Sequence, residues 1–155
     1  MREESGMLMI RARIARTDDD EIIRLIKKEL IPLSYSASPR DAQTIRELPK
    51  RLSDGTSLVY SRTKRSIPLG FIHYYLRGDT LLYDMLVVHP QHRDKKIGTR
   101  LLAKAEEEAK AKGCRIGRLF VDLGNPRAQR LYTRLGFQTI RYIHEVRCYE
   151  MIKWL

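Results

Sequence analysis

The residues with the clearest chemical potential form one stretch, Leu86-Val87-Val88-His89-Pro90-Gln91-His92-Arg93-Asp94-Lys95-Lys96-Ile97-Gly98-Thr99. Met85 to Val88 is an unbroken apolar run, which suits a strand covered on both faces. Pro90 ends that strand, because proline has no N–H to give to a ladder. From Ile97 onward, Leu101, Leu102, Ala105 and Ala109 recur at helical spacing, so a helix starts near Lys96. The first turn of a helix leaves backbone N–H groups unpaired and carries partial positive charge. Ringed by Arg93, Lys95, Lys96 and Arg100, this helix start is suited to holding a phosphate.

A second stretch has a similar character. Asn125-Pro126 opens a helix with proline at its first position, and Ala128, Leu131, Tyr132 and Leu135 lie on one stripe before Gly136 caps it. The first stretch resembles the acetyl-CoA-binding motif of the GNAT family of N-acetyltransferases. In that motif a strand ending in L-x-V-x-P leads into [QR]-x-x-G-x-[GA]. The matches are Leu86, Val88, Pro90, Arg93 and Gly98, and the departure is Lys96, which stands at the motif's first glycine. Glycine permits left-handed torsions and a close backbone approach. Lys96 either points outward and adds charge beside the phosphates, or distorts the loop and weakens CoA binding. The second stretch is similar to the other GNAT signature, N-x-x-A-x-x-L-Y-x-x-x-G-F, matching at Asn125, Ala128, Leu131, Tyr132, Gly136 and Phe137.

The resemblance implies a function. The expected activity is transfer of an acetyl group from acetyl-CoA, a co-substrate, to a primary amine by direct attack in a ternary complex. The pyrophosphate would rest on the backbone of Arg93, Asp94, Lys95, Lys96, Ile97, Gly98 and Thr99. The pantetheine arm would pair with Leu86, Val87 and Val88, whose backbone could also donate to the thioester oxygen. Asn125, Arg127 and Ala128 would complete the cofactor site, with Asn125 holding the arm, capping its helix, or both. Tyr132 matches the family's general acid; a phenol is closer in pKa to a thiolate than a carboxyl is. Asp84 aligns with a strand position where many relatives carry a base, with Asp122 as its rival and a water relay as a third route. The alternative is a GNAT-like module that binds CoA without turnover.

These residues need elements to position them. Residues 1–6 read as a flexible tail and 7–155 as one N-acetyltransferase domain. Met7 to Ala15 alternates as a strand, and Thr17 caps a helix whose first turn holds Asp18, Asp19, Asp20 and Glu21 and which Pro32 closes. A helix follows from Arg40 to about Leu48, with Ile45 and Leu48 inward. Thr56–Ser61, Ile67–Leu76 and Thr80–Val88 form a meander. The central helix runs from about Lys96 to Lys112, with Glu106–Lys110 and Glu108–Lys112 pairs on its outer face and Gly113 at its end. Ile116–Asp122 is a buried strand parallel to the one before the helix. After the helix at Asn125, strands Phe137–Tyr142 and Val146–Trp154 close the chain. The fold class is α/β (α+β): by resemblance a GNAT fold, a mixed, mostly antiparallel sheet of about seven strands with four helices. Its parallel strands, 80–88 and 116–122, would splay.

Composition narrows the remaining options. The chain has 155 residues and a net charge of +11. Nine Lys/Arg stand against four Asp/Glu between Gln91 and Arg118, so the motif is locally positive while the other cations are spread. Spread charge reads as a solvated surface and argues against a nucleic-acid face. It favours acidic acceptors over polycationic ones. No apolar run is long enough to span a membrane, and two cysteines with no export signal fit the cytoplasm. Scattered His73, His89, His92 and His144 predict no metal site. His89 and His92 read as turn residues and Cys114 as buried filler, while Tyr35 falls where relatives shape an acceptor pocket. The closing strands leave a homodimer open.

Overall fold

Hydrophobic periodicity switches between two and 3.6 along the chain, and the switches mark its elements. A computed structural model describes residues 9–34 and 42–155. β1 (Met9–Ala12) leads into α1 (Ala15–Leu25), which continues as a π-helical turn (Ile26–Leu30) and a 3-10 turn (Ile31–Leu33). α2 (Ala42–Asp54) precedes the meander of β2 (Thr56–Ser61), β3 (Gly70–Arg77) and β4 (Thr80–Val88). A 3-10 turn (Pro90–His92) leads to α3 (Ile97–Ala111), β5 (Ile116–Asp122), α4 (Pro126–Arg134), β6 (Gln138–Ile143) and β7 (Cys148–Trp154). The strands form one seven-stranded sheet, ordered β1-β2-β3-β4-β5-β7-β6. Among the described residues, only β4 and β5 pair in parallel. This is the expected mixed sheet with four helices.

Several local readings need correction. α1 begins at Ala15, upstream of the Thr17 cap expected, and no side chain caps it. Asp18 of that first turn is fully buried. Its carboxylate accepts the Ile14 N–H at 2.7 Å and two Arg11 bonds at 2.8 and 3.0 Å, which pins β1 to α1. Pro32 does not stop the helix, because the π and 3-10 turns carry the chain past it. α2 runs through Pro49 to Asp54, since burying Leu48 and Leu52 outweighs one lost backbone bond. β3 starts at Gly70, leaving Ile67 exposed. Glu106 turns inward, away from Lys110, to accept from the Tyr83 hydroxyl at 2.6 Å and from Lys153 at 3.0 Å. Glu108 keeps its pair with Lys112 at 3.1 Å.

Helices cover both sheet faces. On one face α3 buries Ile97, Leu101, Leu102 and Ala105 with Ile72, Tyr74, Leu81, Tyr83, Tyr132 and Phe137. On the other, Ile22, Leu25, Leu48 and Leu52 pack on Val59, Phe71, Met85 and Val87. Tyr83 and Met85 are two residues apart yet belong to opposite cores. The cause is a β-bulge: His73 pairs with Met85 and Tyr74 with Tyr83, so Asp84 is the extra residue. One inserted residue exchanges the faces for everything downstream. Leu86 and Val88 are thereby turned to the α3 side.

Candidate active site

The bulge and the short parallel pairing make the site. β4 and β5 pair only over Thr80–Leu82 and Ile116–Arg118, although the strands continue to Val88 and Asp122. The splay expected there is present. A cleft of about 460 Å³ lies against Leu86 and Val88, the loop and first turn before and within α3, and the face of α4. Its lining brings together Leu86, Val88, Arg93, Asp94, Lys96, Ile97, Gly98, Thr99, Asn125, Arg127, Ala128 and Tyr132 of the sequence-derived set. Three of that set lie elsewhere. Val87 is buried in the opposite core, Lys95 is exposed outside the lining, and Asp84 faces α2.

The α3 end of the cleft is an uncapped helix start lined by cations. Lys96 occupies the N-cap with φ 61° and ψ 22°, a left-handed conformation, and no side chain caps the helix. Asp94 is left-handed too, at φ 64°. The chain thus keeps the torsion that glycine supplies in the motif, at some strain, and adds an ammonium. The N–H groups of the first turn remain available for a ligand. At Gly98 a Cβ would meet Leu86 at 3.6 Å and Val88 at 3.8 Å, ordinary contacts. The protein itself therefore does not require glycine there.

Several cations surround this end, and not all are free. Arg93 is tied to Glu29 of the π turn at 2.9 Å. Arg100 turns away to the Tyr60 hydroxyl at 3.3 Å. Burial, with Arg93 and Arg130 nearby, pushes the Arg127 guanidinium below its ordinary value. His92 is held below its ordinary value by burial and by Lys95 and Arg62. His89 accepts from the Gln91 N–H at 3.1 Å and caps its turn. Sequence reasoning passed over Arg130, Leu131 and Arg134, which also line the cleft. Their spacing from Arg127, three to seven residues along one helix, was the available signal.

Tyr132 is buried, edge-on to Phe137 at 5.5 Å. Burial alone raises its phenol above the ordinary value, so it stays protonated. Asn125 caps α4 by accepting the Ala128 N–H at 3.2 Å. Asp84 is bound by Arg51 through two bonds at 2.9 and 2.5 Å and lies 3.6 Å from His73 Nε2. Its rival Asp122 accepts from the Cys148 thiol at 3.6 Å. Cys114 is buried, and Tyr35 lies outside the described residues. Among the described residues no cluster of His, Cys, Asp and Glu could hold a metal, and no helix is long and apolar enough to cross a membrane.

A family model, described as the acetyltransferase (GNAT) family, matches residues 21–137. The chain belongs to that family. As a GNAT member it is an acyltransferase of the acetyl-CoA-dependent class. It is 37% identical over 90 residues to acetyltransferase Atu2258 of Agrobacterium fabrum, covering 58% of this chain and 64% of the relative. It is 30% identical over 141 residues to the aminoalkylphosphonate N-acetyltransferase of Salmonella typhimurium, covering 88% and 90%. The chain thus spans just under two thirds of the first relative and most of the second. Its fold is similar to that of the PaiA N-acetyltransferase of Thermoplasma acidophilum, solved with coenzyme A, at TM-score 0.75 and 20% identity over 96% of this chain and 99% of that one.

Proposed function

We propose that this GNAT domain acetylates a small primary amine that also carries an anionic group. The observation that carries the reading is the splayed cleft, with an uncapped cationic helix start at one end and the Tyr132 phenol in its lining. The residues fit the co-substrate: a diphosphate finds first-turn amides and Lys96 at the start of α3. Bound acetyl-CoA supplies the activated acyl group, and the chain supplies the rest. Leu86 and Val88 flank an extended arm, and their own N–H groups, on the edge of β4 away from β3, can donate to a carbonyl oxygen. Tyr132, kept protonated by burial, gives its proton to the departing thiolate. Asp84 takes a proton from the acceptor's ammonium, directly or through a water, once that cation has displaced Arg51.

The acceptor class follows from charge. A second hollow of about 330 Å³ adjoins the cleft, lined by Lys28, Arg93, Arg127 and Arg130, with Glu29 the one acid among the described residues. Such a wall suits a phosphonate or carboxylate and repels polyamines. The Salmonella relative named for aminoalkylphosphonates supports the same choice. The test mixes acetyl-CoA with aminomethylphosphonate, thialysine, spermidine and a neutral alkylamine, and follows free thiol. Turnover should be fastest with the phosphonate. Preference for spermidine would reverse the acceptor assignment, and acetyl-CoA binding without turnover on any amine would leave a binding module.

A further inference from the structure

His73 of β3 is fully buried. Its Nδ1 lies 2.9 Å from Ser57 Oγ on β2. Its Nε2 is the one buried side-chain polar atom among the described residues with no hydrogen-bond partner. That nitrogen faces Asp84 Oδ2 at 3.6 Å, just outside hydrogen-bond reach. The charged and titratable groups around the ring are Asp84 from β4, Arg51 from α2, Arg13 from the segment after β1, and Tyr75, edge-on at 5.0 Å; the Arg51 backbone carbonyl also faces the ring. Burial, together with Arg51 and Arg13, holds the imidazole below its ordinary value against the pull of Asp84, so it is neutral and has a single N–H. A carboxylate can only accept, whereas a hydroxyl can donate or accept. Only one tautomer therefore serves both neighbours: Ser57 O–H donates to Nδ1, and Nε2–H points at Asp84. The ring packs closely on Gly55, where an added Cβ would lie 2.7 Å from its Cε1.

Asp84 thus sits between two donors. Arg51, 47% exposed, holds it from the solvent side, and His73 waits behind it in the sheet. We propose that His73 is a positioning residue for Asp84: its Nε2–H, backed by Ser57, takes over the carboxylate when Arg51 gives way to the acceptor's ammonium. The inference rests on the reading of Asp84 as the base. The gap to close is small, and Asp84 occupies a bulge, where the ladder does not fix it. Closing it satisfies a buried polar atom that is otherwise orphaned.

The first test needs no substrate. Two-bond proton–nitrogen correlation spectra of the wild-type protein should show His73 protonated at Nε2 at neutral pH; protonation at Nδ1 overturns the proposal whatever Asp84 does. The second uses turnover on the best amine of the panel. His73→Leu should lower kcat about 10- to 100-fold, the scale of a misplaced reacting group, with the KM for acetyl-CoA unchanged. Its acid limb should move to higher pH, because a carboxylate that loses a donor is easier to protonate. His73→Gln, which keeps an amide N–H near Nε2, should restore most of the loss. Full activity in His73→Leu, or equal damage in both variants, overturns the proposal. Undiminished turnover in Asp84→Asn instead removes the base itself, a failure that the spectra distinguish.

Discussion

At the scale of single residues, three positions separate binding from chemistry. The Tyr132 hydroxyl makes no hydrogen bond among the described residues and is held protonated by burial. Tyr132→Phe should leave stability and acetyl-CoA affinity nearly unchanged while lowering kcat about 100-fold, the usual worth of a general acid. Gly98→Ala meets only ordinary contacts within the protein and gains helix propensity. Its thermal stability should hold or rise by up to about 1 kcal/mol, while calorimetry shows acetyl-CoA binding weakened about tenfold. A variant that binds normally would mean that the diphosphate does not approach this backbone. Lys96 stores strain at φ 61°. Lys96→Gly should raise stability by about 0.5–1 kcal/mol, the left-handed penalty less glycine's entropy. It should weaken acetyl-CoA binding at low salt, and the difference should vanish as salt rises. The motif positions were legible at this scale because each has a distinctive chemical type. The partners of Asp84 and Arg93 were not, since Arg51 and Glu29 are remote in sequence and nothing local marks them.

At the scale of elements, ion pairs fasten strands to helices. Asp18 joins β1 to α1 through Arg11, which also donates to the Ser66 carbonyl at 3.0 Å. Burial works to raise the Asp18 pKa, but the bonds from Arg11 and the Ile14 N–H outweigh it and hold the value below the ordinary range. A depressed carboxyl stabilises the fold above its unfolded pKa, and that contribution is lost as pH falls through the folded value. Denaturant melts of the wild type should therefore weaken below about pH 4, and Asp18→Ala should flatten that acid dependence. The same variant should cost about 3–5 kcal/mol at neutral pH, because it leaves Arg11 buried without its counter-charge. The π turn that ends α1 is a further element-scale device, since it sets Glu29 against Arg93 at the mouth of the cleft.

At the scale of the whole molecule, two helix-covered halves of one sheet part at β4 and β5, and the opening is cationic. Acetyl-CoA at about 100 times its Kd should add roughly 2.7 kcal/mol of stability, or about 5–10 °C in Tm. The shift should shrink with salt, as expected for a phosphate held by charge. No shift at any concentration would sink the cofactor site. The order of elements, the parallel pair, the two signatures and the sign of the site's charge were all legible along the chain. Those are written in local periodicity and residue type, which act over a few positions. Only the tertiary structure decided which face each residue of β4 shows, because the Asp84 bulge depends on register against β3 and leaves no trace in alternation. It likewise decided that Asp18 and His73 are buried, and that Asp84 lies between Arg51 and His73. Such contacts join residues far apart in the chain, and packing selects them from many partners that charge alone would allow.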